Sequence, residues 1–289
     1  MLIFTGLIAT SYSVGGLIAG ALAPAAITTL RFLLAGLIFA AVLLAGRRLA
    51  WPAAPALLRY GIIGFLLAAY FVSMFEALRW TDPVSAGAVF TLVPLMSAAI
   101  AAPLLGQRLD VRVWVGLVVG GIGALWVLFD GSLAHLSAFR IGHGELVFLP
   151  GCLAYAAYAP VVRRFHRGES LAEINFFAIV TGAALTGLYG FCDIAAASWA
   201  TLSWGVYLGI VHLAVFTTAA TFLLIKYASL HLPAAKVMAY TYLLPAVVAF
   251  YEGALSHGWP SWPVAAGIVV AATAVAIIQL APEPPRLSD

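Results

Sequence analysis

The sequence predicts an all-α integral membrane protein of ten transmembrane helices, arranged as two inverted five-helix repeats. Composition is the first ground. Hydrophobic residues fill 64% of the 289 positions and charged residues only 9%, whereas a soluble domain carries roughly a quarter charged residues. Run length is the second, because the apolar stretches reach the ~20 residues that cross ~30 Å of hydrocarbon and lack the alternation of a membrane barrel strand. The third is a repeat of the chain upon itself.

Breaks of proline, glycine and charge divide the chain into runs near 2–20, 25–45, 57–78, 83–105, 111–129, 144–165, 171–193, 201–228, 233–255 and 260–281. The first run begins at Leu2 with no basic region before it, so it reads as a span and not as a cleaved signal. The eighth is long enough to tilt or to extend past the headgroups. An even number of spans puts both termini on one side. That side collects Arg47, Arg48, Arg59, Arg108, Arg112, Arg163, Arg164, Arg167, Lys226, Lys236 and Arg286, eleven of the fourteen Lys and Arg, while Arg31, Arg79 and Arg140 fall toward the other. Cytoplasmic loops are enriched in Lys and Arg, so the expected location is the inner membrane with both termini cytoplasmic.

A shift of 151 positions pairs Pro94 with Pro245, Gly116 with Gly267 and Leu92 with Leu243. The expected units are 1–130 and 142–281, with 282–289 as a cytoplasmic tail. Five spans per unit is an odd number, so the second unit enters the membrane upside down relative to the first, an organisation many transporters use.

The net charge of +3 would suggest an anionic partner for a soluble chain. Here the basic residues mark loops, so membrane lipid and a small-molecule substrate are the expected partners and nucleic acid is not. The chain carries no HExxH, no GxSxG and no P-loop, which argues against an enzyme and against direct use of ATP. His135 and His143 have no cysteine or acidic cluster around them, so neither a metal nor another cofactor is expected. Cys152 and Cys192 both fall in apolar runs and read as buried thiols.

Certain motifs resemble a known family. Arg31-Phe32-Leu33-Leu34-Ala35 opening the second span, Pro83-Val84-Ser85-Ala86-Gly87 leading to Leu92-Val93-Pro94, and Gly106-Gln107-Arg108-Leu109 followed by Trp114, Gly116 and Gly120-Gly121-Ile122-Gly123 form one set. Gly144-Glu145, Ala154-Tyr155, Leu243-Leu244-Pro245 and Gly267 form the second. The sequence resembles the drug/metabolite transporter superfamily, EamA-type, over essentially its whole length. Within it the chain is most similar to YddG-type exporters of aromatic amino acids. It departs from the family pattern at Gln107 and at Ser256-His257-Gly258, where an acidic residue usually follows the glycine. The resemblance implies secondary transport of small metabolites, aromatic or other bulky amino acids first, with a channel, sensor or membrane enzyme as the alternatives.

Within the spans, Tyr12, Tyr70, Tyr155, Tyr158, Tyr240 and Tyr242 carry hydroxyls that lipid tails cannot satisfy, so they are expected to line one substrate cavity. Pro94 and Pro245 are expected to act as hinges that free the carbonyls of Phe90 and Thr241 for a substrate ammonium. Glu76 and Arg79, one helical turn apart, read as a charge pair or a coupling site, and Glu252 as a second coupling carboxylate. Arg79, Lys226 and Lys236 are expected to reach an interface by snorkelling, and His212 to be a hydrogen-bonded core residue. Tryptophans near the span ends read as interfacial anchors. Gly16 with Gly20, Gly116 with Gly120 and Gly205 with Gly209 have the spacing of close helix contacts.

Overall fold

The computed structural model describes residues 1–46, 51–81, 83–106, 109–254 and 259–281, and leaves the side chains of residues 12, 13, 83, 84 and 252–254 outside that description. Arg47, Arg48, Gln107, Arg108, Ser256, His257, Gly258 and the expected tail at 282–289 lie outside the described residues. Every regular element among those described is helical.

The helices are α1 (Leu2–Ile18), α2 (Pro24–Ala45), α3 (Ala54–Ala77), α4 (Pro83–Phe90 continuing as Val93–Leu105), α5 (Val111–Leu128), α6 (His143–Phe165), α7 (Leu171–Tyr189), α8 (Trp204–His231), α9 (Ala234–Ala239 continuing to Leu244–Ala254) and α10 (Trp262–Leu280). Nine of them are long and apolar enough to cross a bilayer, and α1 is a shorter apolar helix. The ends follow local chemistry. Asp110 caps α5 by accepting the Arg112 amide at 2.7 Å, and Ser170 caps α7 through the Glu173 amide at 3.2 Å. Gly106 closes α4 at φ +61°, a left-handed conformation that a side chain disfavours. The run expected to 193 stops at Tyr189, and Phe191–Ala196 forms a separate short helix.

Contacts between helices obey an exchange of the two halves. Helix α2 lies on α7, α4 on α9 and α5 on α10, each with its counterpart. Helix α3 packs on α6 and α7, and its counterpart α8 packs on α1 and α2. This is what two five-helix repeats related by a two-fold axis require. The exchange is not exact in depth. Along the seam of α3 and α6, Tyr70 stacks on Tyr155 at 4.4 Å and Thr81 donates to Glu145. The counterpart seam is held by Thr10 and His212 Nε2 at 2.8 Å, so His212 is hydrogen-bonded as expected but half-buried and not in the core. A second, smaller core joins α4, α5, α9 and α10 around Tyr242, Leu117 and Ile278.

The paired prolines mark paired interruptions. Ahead of Pro94 the helix breaks at Thr91 and Leu92, whose amides fold back to Gly87 (3.1 Å) and Val89 (3.1 Å). Ahead of Pro245 the chain tightens into a 3-10 turn over Tyr240–Leu243. The missing amide of each proline explains why the break precedes it.

Close packing at glycine is present in α5, and in α1 it falls at Gly15, against Phe75, and not at Gly16 or Gly20. A Cβ on Gly116 would stand 2.6 Å from Ile278 and one on Gly120 2.7 Å from Tyr242. Gly16 and Gly20 have nothing within 4 Å, so their spacing does not mark a helix contact in this structure; Gly205 meets only Ser203, whereas a Cβ on Gly209 would stand 3.0 Å from Ile18 of α1. Cys152 is buried, but Cys192 is exposed in the short helix that follows α7, contrary to its apolar surroundings in sequence.

On the face that carries both termini, Arg59 Nη2 pairs with Glu169 at 2.8 Å. Burial works against ionisation of Glu169, but the amides of Glu169 and Arg167 and the Arg59 guanidinium outweigh it and hold the carboxyl below its ordinary range.

Candidate functional site

The centre of the bundle is aromatic. Tyr155 stacks on Tyr70 at 4.4 Å and on Tyr158 at 6.1 Å, and Phe90 lies 5.7 Å from Tyr155 and 5.9 Å from Tyr70. Phe148 completes this part, 5.9 Å from Tyr70. Tyr155 and Tyr158 are three positions apart, so one face of α6 presents both. The cluster thus takes Tyr70 and Phe90 from the first half and Phe148, Tyr155 and Tyr158 from the second. It is closed, with Tyr70 1% and Tyr155 2% exposed.

Arg31 enters this cluster from α2 and is fully buried. Its Nε donates to Thr218 Oγ1 at 2.5 Å, and Nη2 donates to the carbonyl and the hydroxyl of Thr217 at 2.9 and 3.0 Å. The guanidinium lies 3.8 Å over the ring of Phe71, a cation–π contact. Its receptor is a local departure from the α-helix, because α8 passes through a π turn over Val215–Ala220. Thr217 and Thr218 both donate to the Leu213 carbonyl, at 3.0 and 2.8 Å, and so turn their oxygen lone pairs toward α2. Wide turns of this kind gather at functional sites. Arg31 Nη1 has no hydrogen-bond partner among the described residues.

Further along α8, Lys226 is also fully buried. It does not reach an interface, contrary to the snorkelling expected of it. Helix α8 runs to His231 and not to 228, which leaves Lys226 more than a turn inside the helix end. Its Nζ lies 5.9 Å from the Tyr158 ring centroid and has no hydrogen-bond partner among the described residues. Lys236 is buried too, but donates to the last carbonyls of α10, those of Gln279 (2.8 Å) and Ala281 (2.7 Å).

The other expected site residues lie elsewhere. Tyr242 is buried against Gly120 and Gly121 in the second core, with its hydroxyl unpartnered among the described residues. Tyr240 packs at the edge of that core, and Thr241 donates to the Met238 carbonyl at 2.8 Å. These three are not brought to the central cluster. The side chains of Tyr12 and Glu252 lie outside the described residues. Glu76 accepts from Arg79 Nη1 at 3.1 Å and from Trp80 Nε1 at 2.9 Å. This pair lines a cavity of about 410 Å³ on the face opposite the termini, among Pro24, Ala25, Val72 and Asp193. Val72 follows Phe71, the ring beneath Arg31.

A ten-helix bundle of two exchangeable halves, meeting in a mixed aromatic and cationic centre, is built as a polytopic membrane transporter. The chain belongs to the EamA-like transporter family of the drug/metabolite transporter superfamily, whose model matches residues 1–129 and 142–280. It is similar to an uncharacterized transporter, YyaM, of Bacillus subtilis (strain 168), with 25% identity over 187 residues, 65% of this chain and 61% of that protein. An uncharacterized transporter of Archaeoglobus fulgidus is 28% identical over 115 residues, 40% of this chain and 41% of its own length. The matched stretches therefore span less than two thirds of either relative. A solved crystal structure shares the fold with a TM-score of 0.75 at 22% identity, covering 96% of this chain and 95% of its own.

Proposed function

We propose that this protein is a secondary transporter that exports small metabolites, amino acids with aromatic or other bulky apolar side chains foremost, across the inner membrane by alternating access. The observation that carries this reading is the central cluster, drawn from both halves and made of apolar rings with single polar tips. Such a lining suits a solute with a flat apolar body. The units are residues 1–130 and 142–281, with 282–289 as a tail, and both termini are cytoplasmic, a reading that the sequence excess of Lys and Arg on that face supports. The interruptions ahead of Pro94 and Pro245 serve as the hinges that let α4 and α9 move in turn. The pair of Glu76 and Arg79 then belongs to the outer vestibule.

Counterflow in proteoliposomes with a panel of labelled amino acids, nucleosides and sugars tests the reading. A carrier gives saturable exchange for a subset of the panel. Conductance without counterflow means a channel, and conversion of a solute means an enzyme. Pro94→Ala and Pro245→Ala are each expected to restore a backbone hydrogen bond, leave the protein folded and slow exchange. Sidedness is read with cysteine at 164 or 131 in a background lacking Cys152 and Cys192. An impermeant thiol reagent on intact cells should label position 131 and spare position 164.

A further inference from the structure

We infer that the passenger carries a carboxylate, which the free edge of Arg31 receives at the centre of the bundle; the inference rests on the carrier reading above. Three observations converge on it. The first is charge. The buried ionic side chains among the described residues are Arg31, Lys226, Lys236 and Glu145. Lys236 is spent on the α10 carbonyls. Glu145 is spent on the Gly142 amide at 2.7 Å and on Thr81, at the end of α6 remote from Lys226. Arg31 and Lys226 remain, with no carboxylate paired to either among the described residues. An ionisable group held within a membrane-spanning bundle is costly, and functional sites are where that cost is sustained.

The second is direction. Arg31 has three nitrogens, and two of them are fixed by Thr217 and Thr218, which locks the plane of the fork. The third, Nη1, keeps both of its hydrogens and is buried without a partner. A planar donor edge held in a fixed orientation matches a carboxylate oxygen better than any neutral acceptor does. The third is the continuation of the site. From Arg31 the rings run Phe71 to Phe222 at 6.2 Å, then Phe222 to Tyr158 at 6.1 Å, beside which stands Lys226. Thr218 and Lys226 are eight positions apart on α8, about 12 Å along the axis at 1.5 Å per residue. Two buried basic side chains with no acidic partner among the described residues, one nearer each face, are thus joined by a ladder of rings. An aromatic or aliphatic acid satisfies both features at once, its body against the rings and its charge against Arg31 and then Lys226. A simple amine meets only repulsion.

Three solutes sharing one phenyl body separate the charges: L-phenylalanine, 3-phenylpropionate and phenethylamine. With wild-type protein, thermal shift in detergent and inhibition of labelled counterflow are expected for the two acids and not for the amine. Arg31→Gln is expected to abolish the response to 3-phenylpropionate, and Lys226→Met to weaken it at least several-fold while leaving a folded protein. Equal competition by phenethylamine, or an undiminished 3-phenylpropionate response in folded Arg31→Gln, overturns the inference. The wild-type comparison stands even where Arg31→Gln does not fold. Exchange of only neutral or cationic solutes also overturns the inference while leaving the carrier intact, whereas no exchange of any solute overturns both.

Discussion

Thr217→Val combined with Thr218→Val is expected to destabilise the protein by about 2–4 kcal/mol, since hydrogen bonds to a charged group are worth more than neutral ones and their loss strands a buried cation. Valine keeps the shape of threonine, so packing changes little. What is removed is two acceptors of the Arg31 guanidinium, at 2.5 and 3.0 Å, leaving Nη2 only the Thr217 carbonyl. The check is a double-mutant cycle against Arg31→Met, read by thermal denaturation in detergent. In the Arg31→Met background the double valine change should cost under about 1 kcal/mol, because its hydroxyls then satisfy only their own helix. Equal losses in both backgrounds would mean that the threonines shape the π turn without serving Arg31.

A second large effect is expected where α3 meets α7. A Cβ on Gly64 would stand 2.5 Å from the Ala178 carbonyl oxygen and 2.8 Å from the Gly182 nitrogen. Both are backbone atoms and cannot turn aside. Gly64→Ala therefore forces the helices apart and should cost about 1–3 kcal/mol, the range for overpacking a filled interior. Gly16→Ala is the matched control, because nothing lies within 4 Å of that Cβ. It should be neutral or stabilising by up to about 1 kcal/mol, the propensity gain of alanine over glycine in a helix. Melting temperatures of the two variants should separate clearly, and equal values would contradict the close approach of α3 and α7.

The helices were legible because run length in hydrocarbon is dictated by bilayer thickness, and the paired breaks because Pro94 and Pro245 lack an amide. The site was legible only in part. Tyr155 and Tyr158 are three positions apart and share a face, so their juxtaposition follows from spacing. Tyr240 and Tyr242 sit in the 3-10 turn over Tyr240–Leu243, which their spacing did not announce, and the turn places Tyr242 in the second core and Tyr240 at its edge, away from the central cluster. Arg31 was readable as a motif residue but not as a buried cation, because an arginine in the second turn of a span reads as interfacial. The signal available was Thr217-Thr218, adjacent hydroxyls in the middle of a long apolar run. Lys226 was misread through a helix end placed three residues early.

Solute passing between the two halves would have to cross the ring cluster they share. Counterflow of labelled L-phenylalanine by Tyr155→Leu measures that passage, with Phe191→Leu, exposed outside the bundle, as the control. Loss of a stacked ring partner is worth about 0.5–1.5 kcal/mol, up to a roughly tenfold fall in apparent affinity. Passage through the cluster entails that fall for correctly folded Tyr155→Leu and unchanged exchange for Phe191→Leu; wild-type affinity and rate in folded Tyr155→Leu would place the pathway elsewhere.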